Sequence, residues 1–90
     1  MALIFRGSAS RHGISHDRAT FVIRDCRCPL IAPDPDREEA DVLVFLGPDA
    51  NGVLLQVVGI EVARGDLVVI HAMRMRRKYA DAYAEVMACR

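Results

Sequence analysis

Neither charge is in excess: twelve Lys and Arg stand against twelve Asp and Glu in 90 residues. That balance argues against a protein that coats nucleic acid by bulk charge. Lysine is nearly missing, Lys78 being the only one, so the basic character rests on arginine. Cysteine is scarce, and Cys26, Cys28 and Cys89 lack the spacing of a zinc motif, a Cys-x-Cys pair being a poor ligand set for a tetrahedral site. Their roles read as structural or incidental. No apolar run approaches the length of a membrane span, and the opening MALIFRG lacks the apolar stretch of a signal peptide. The expected address is cytoplasmic, with no membrane partner. There is no glycine-rich phosphate loop, no nucleophile elbow, and no carboxylate pair of the kind a glycosidase or metal nuclease uses. Five of the twelve acids sit in one proline-rich stretch, which argues against a two-metal mechanism. Neither a metal site nor a cofactor is expected.

What is present is apolar residue in quantity. A hydrophobic content of 52% over 90 residues suits a single domain, residues 1–90, with one sheet and two or three helices. Charge is segregated along the chain. Residues 1–24 carry Arg6, Arg11, Arg18 and Arg24 against Asp17 alone, and a cationic cluster lies in the last quarter. Between them come Asp25, Asp34, Asp36, Glu38, Glu39, Asp41 and Asp49. If the two basic ends meet in the fold, a neutral chain presents a cationic patch.

Leu3, Ile4 and Phe5 read as a short first strand or a hydrophobic anchor. Ser15 is a good N-cap, Asp17 suits the first helical turn, and Ala19, Val22, Ile23 and Cys26 recur at helical spacing until Pro29 stops the helix. The stretch CPLIAPDPDREEAD, residues 28–41, holds three of the four prolines and five acids. It reads as an exposed connection, or as a partner-binding loop. After it the pattern turns to β. Three apolar runs, 42–46, 53–62 and 67–72, are parted by the turn-rich segments GPDANG and ARGD, which implies an antiparallel meander. Gly59 interrupts the middle run and marks a bulge or a twist. Both faces of the sheet are largely apolar, so a helix is expected on one side and partial cover on the other, a surface compatible with a homodimer. The end, KYADAYAEVMACR, is helical by composition, with Tyr79, Tyr83, Val86 and Met87 near one stripe.

One run, DLVVIHAMRMRRKY at residues 66–79, joins the expected core to the expected site. In a regular strand Val69, His71, Met73 and Met75 share one face, and Ile70, Ala72, Arg74 and Arg76 the other. Guanidinium groups of Arg74, Arg76 and Arg77, with Lys78, suit a phosphate backbone, where they stabilise the pentacovalent transition state of phosphodiester cleavage. His71 and Tyr79 supply a proton acceptor and a donor beside them, which is what a metal-independent ribonuclease requires. The plainer readings are a solvated strand end and a satisfied core histidine. A second group, Arg11, His12, Gly13, Ile14, Ser15 and His16, surrounds a helix start where free amides suit an anion, or is only a cap and a turn.

The segments RHGIS (11–15), FLGPDANGVLLQVV (45–58) and GDLVVIHAMRMRRKY (65–79) resemble the small bacterial BrnT-like toxins of the RelE/ParE superfamily. The resemblance spans residues 11–83. It implies an α+β, RelE-like fold with an N-terminal helix or helices, a three- to four-stranded antiparallel sheet and a C-terminal helix. It implies the toxin of a type II toxin–antitoxin pair: a metal-independent endoribonuclease that inhibits translation and is blocked by a cognate antitoxin protein. Carried over residue by residue, Arg74 and Arg77 are the strand-end cations that hold phosphate, while Arg11 and His12 form the basic pair at the first helix. With the reading above, the catalytic set is His71, Arg74, Arg77 and Tyr79, and the RNA-binding set Arg11, His12, Arg76 and Lys78. The alternative is a non-catalytic RelE-like interaction domain whose arginines pair with an acidic protein. A gyrase-directed toxin is a third reading within the same superfamily.

Overall fold

The computed structural model describes residues 2–34 and 37–88, over 37–40 the backbone alone. In chain order it contains β1 (Leu3–Phe5), α1 (His16–Asp25), β2 (Leu30–Asp34), β3 (Arg37–Pro48), β4 (Leu54–Glu61), β5 (Leu67–Arg74) and α2 (Ala80–Ala88). Short 3₁₀ turns at Gly7–Ser10 and Arg77–Tyr79 precede α1 and α2. The fold is α+β. Its five strands form one sheet in the order β1-β5-β4-β3-β2.

Local chemistry accounts for α1. Ser15 Oγ accepts a hydrogen bond from the Arg18 amide at 3.2 Å, Asp17 lies in the first turn, and Ala19, Val22, Ile23 and Cys26 are all buried. Cys26 is a free thiol buried inside the core. Cys89 lies outside the described residues.

The meander of β3, β4 and β5 is antiparallel, as the turn-rich separators imply. Its first connection is organised by Asp49. The Asp49 amide donates to the Val53 carbonyl, Oδ1 accepts from the Asn51 and Val53 amides at 2.9 Å each, and Gly52 takes the left-handed φ of 82° that closes the turn. Oδ2 accepts from Arg18 Nε at 2.8 Å, so one buried carboxylate ties the hairpin to α1. At the second connection Asp66 Oδ1 accepts from the Ala2 amide, and the Leu67 amide donates to the Ala2 carbonyl. These bonds hold β1 on β5.

Two sheet expectations are corrected. The sheet has five strands rather than three or four, and it is mixed, because β1 runs parallel to β5 with Leu3 opposite Leu67. The stretch 28–41, read as an exposed connection, contains β2 and the start of β3 instead. In β2, Leu30 and Ala32 turn inward opposite Val44 and Val42, while Ile31 and Pro33 face solvent. A proline is tolerated there because β2 is an edge strand, where a missing N–H takes nothing from the ladder. Pro35 and Asp36 lie outside the described residues.

The sheet has apolar residues on both sides, covered as expected. On one side α1 lays Ala19, Val22 and Ile23 over Leu55, Val57, Leu67, Val69 and Ala72. On the other, Tyr79, Ala82 and Tyr83 lean on Val42, Val44 and Leu46. In the expected α2 stripe Val86 is buried but Met87 is 42% exposed. Among the described residues no helix is long and apolar enough to cross a membrane.

Candidate functional site

The site is made by an irregularity in β5. Val58 of β4 faces His71, yet its neighbour Gly59 faces Val69, so Ile70 is an extra residue without an opposite number. Past this bulge the alternation of faces shifts by one. Val69 and Ala72 both belong to the α1 side, while Ile70 and His71 both turn to the opposite, open side. This corrects the face assignment made from strict alternation. Val69 does not share a face with His71, and Ile70 does not share one with Ala72.

The bulge also docks the amino-terminal segment. Ser8 Oγ donates to the Ile70 carbonyl at 2.7 Å, and the Arg6 amide donates to the Val69 carbonyl at 3.0 Å. The Gly7–Ser10 turn is thereby laid along β5 beyond the end of β1. A left-handed Gly13 (φ 74°) then turns the chain into α1, and Arg11 and His12 are left beside the bulged strand. Two sequence groups some sixty residues apart therefore come together, as with Ser8 and Ile70, whose separation is 62.

On the open side a cavity of about 400 Å³ is lined by His12, His71, Arg76, Lys78 and Tyr79, with Asp34 and Gln56. Its apolar wall comes from Ala32, Val42, Val44, Val58, Ile70 and Met73. A neighbouring cleft of about 280 Å³, lined by Arg6, Ser8, Arg11, Asp34, Ile70 and His71, shares Asp34, Ile70 and His71 with it. A third concavity, of about 370 Å³, places Arg74 with His12, Ile14, Arg18 and Met73. The sequence-derived candidates are thus distributed unevenly. His12, His71, Arg76, Lys78 and Tyr79 converge on one cavity, Arg11 lies in the adjoining cleft, and Arg74 lies in the third. Arg77 is exposed in the 3₁₀ turn and lines none of the three. Arg74 and Arg76 line different concavities, Arg74 as the last residue of β5 and Arg76 as the extended residue that leads into the 3₁₀ turn.

The link from β5 to the turn is held by two hydrogen bonds. The Met75 amide donates to the Leu54 carbonyl, and the Arg76 amide donates to Gln56 Oε1 at 2.8 Å. Lys78 Nζ sits 5.1 Å from the centroid of the Tyr79 ring, a cation–π distance. His16, which the sequence grouped with His12, is instead stacked on Phe5 with centroids 4.0 Å apart. It lines none of the three concavities.

Among the described residues the ion pair present is Arg18–Asp49, away from the cavity, and it leaves Arg11, Arg74, Arg76, Arg77 and Lys78 without carboxylate partners. Exposed cations that are not neutralised within the chain are available to an outside anion. The Asp49 carboxyl is held below its ordinary value of 3.8, first by the hydrogen bond from the Val53 amide and then by Arg18 and the Asn51 amide, against the opposing effect of burial. Among the described residues no three His, Cys, Asp or Glu side chains gather as a metal-ligand set.

Sequence reasoning passed over Gln56 and Asp34. Gln56 had a visible signal: it is the one polar side chain in the run VLLQVVGI. Asp34, 7% exposed, was hidden inside the proline-rich stretch. Comparison of the chain with protein-family models, with curated proteins and with solved structures finds no match.

Proposed function

We propose that the chain is a RelE-like toxin of a type II toxin–antitoxin pair, acting as a metal-independent endoribonuclease that inhibits translation and is masked by its antitoxin. The observation that carries this reading is the convergence of His12, His71, Arg76, Lys78 and Tyr79 on one open cavity. In the reaction the ribose 2′-oxygen attacks the adjacent phosphorus, the bond to the 5′-oxygen breaks, and a 2′,3′-cyclic phosphate and a free 5′-hydroxyl result. His71 takes the 2′-hydroxyl proton, the Tyr79 hydroxyl supplies one to the leaving oxygen, and Arg76 and Lys78 stabilise the charge that builds on phosphorus oxygens. Arg11 and Arg74, in the adjoining concavities, are suited to flanking phosphates.

The test is cleavage of RNA by purified protein, freed of any copurifying partner, in a chelating buffer. Cyclic phosphate ends are expected. His71→Ala should slow the reaction by about 100-fold or more, the usual scale for loss of a general base. Arg74→Ala and Arg77→Ala are expected to cost less than Arg76→Ala, since neither lines the cavity. Unchanged cleavage by His71→Ala, or none by the parent protein, overturns the proposal. A second reading, a non-catalytic domain binding an acidic protein, draws on the apolar wall between the cations; it requires that high-level expression leave growth unaffected.

A further inference from the structure

Among the polar groups that this chemistry leaves unused is the amide of Gln56. The residue is 5% exposed and lines the cavity. Its Oε1 accepts from the Arg76 amide. A backbone N–H can only donate, so the atom facing it must be the oxygen, and the orientation of the amide follows. Nε2 has no partner among the described residues. Since no fully buried side-chain nitrogen or oxygen among them is unpartnered, Nε2 opens onto the cavity. The lining therefore offers, beside its cations, a neutral donor whose acceptor half is already engaged.

We infer that the cavity takes one unstacked nucleobase and that Gln56 Nε2 donates to O6 of guanine or O4 of uracil, selecting these bases over adenine and cytosine, which carry amino groups at those positions; this rests on RNA being the substrate. The volume of about 400 Å³ suits a ligand of mononucleotide size. Val44, Val58 and Ile70 give the lining the apolar surface that the faces of a flat ring require, and Arg76 and Lys78 in the same lining supply the charge for its phosphate. Guanine presents the adjacent acceptors O6 and N7, whereas adenine carries an amino donor at the position of O6. Uracil and cytosine differ in the same way at position 4. An amino group pointed at Nε2 sets donor against donor, and a site built around a hydrogen bond rejects such a ligand.

The experiment is equilibrium titration of the full chain with 3′-GMP and 3′-AMP at about pH 8. The expected ratio for the parent protein is about tenfold in favour of GMP, the scale of one neutral hydrogen bond. Gln56→Glu keeps an oxygen for the Arg76 amide and replaces the cavity-facing donor with an acceptor, so the ratio should invert toward AMP. Because a ratio is read, uniform repulsion of phosphate by the new charge cancels. Gln56→Met should bring the ratio to about one, and if that variant fails to fold, Gln56→Glu carries the test alone. Equal binding of both nucleotides, binding of neither, or a ratio unchanged in Gln56→Glu overturns the inference. The two proposals fail separately. RNA cleavage without base preference removes the role of Gln56 and keeps the nuclease, whereas selective GMP binding without cleavage keeps the base pocket and removes the nuclease.

Discussion

Gly59→Ala is the substitution for which packing makes the sharpest demand. Gly59 lies outside the set of glycines with positive φ, so an alanine there meets no backbone objection. Its methyl would stand 2.8 Å from both Cγ and Cδ1 of Leu67 and 3.1 Å from Cδ2. Carbon atoms in contact prefer about 3.5–4.0 Å, so the Leu67 side chain must retreat by most of an ångström. It has nowhere to go, being 1% exposed and enclosed by the α1 side of the core. Overpacking of this kind costs roughly 1–3 kcal/mol. For a domain of this size each kcal/mol lowers Tm by about 5 °C, so a drop of roughly 5–15 °C is expected. Leu67→Ala alone should cost about 2–5 kcal/mol through the cavity it leaves. In the double variant the new methyl enters that cavity, and the combined loss should fall short of the two single losses added by roughly 1–3 kcal/mol. Urea and thermal denaturation followed by circular dichroism measure all four proteins. Gly59→Ala with an unchanged Tm, or a cycle additive to within about 0.5 kcal/mol, refutes the packing argument.

Two other consequences concern the hairpin and the helix. A carboxyl with a lowered folded pKa adds stability that is complete above its ordinary value of 3.8 and disappears as pH falls through the lower folded value. The Tm advantage of the parent over Asp49→Asn should therefore be constant above about pH 5 and shrink once the pH drops below that ordinary value; a difference flat down to about pH 2 would show that the Asp49 charge contributes nothing. Ser15→Ala removes the acceptor of the Arg18 amide and should cost about 0.5–2 kcal/mol, whereas Ser15→Gly should cost only a few tenths. Equal urea midpoints for Ser15→Ala and the parent would mean the cap adds no stability.

Elements governed by near neighbours in the chain were legible in the residues. Helix α1 could be read because its cap and apolar spacing operate within a few positions, and the meander because Gly52 and Gly65 take the left-handed backbone that tight turns require. Gly59, read as marking a bulge or a twist, borders the register shift, although the extra residue, Ile70, lies on the neighbouring strand. What the residues did not disclose depends on partners remote along the chain. Leu3 finds its place opposite Leu67, a pairing no local pattern encodes. The proline-rich stretch becomes β2 because an edge position forgives proline, and edge status belongs to the sheet and not to the segment. The candidate site follows the same rule. The basic and histidine residues were visible as chemistry, but one extra residue at Ile70 turned His71 to the cavity and Arg74 away from it, and the end of β5 at Arg74 left Arg76 free to line the cavity. A strand has a period of two, so a single inserted residue reverses every side chain beyond it, and only the register against β4 reveals where that insertion falls.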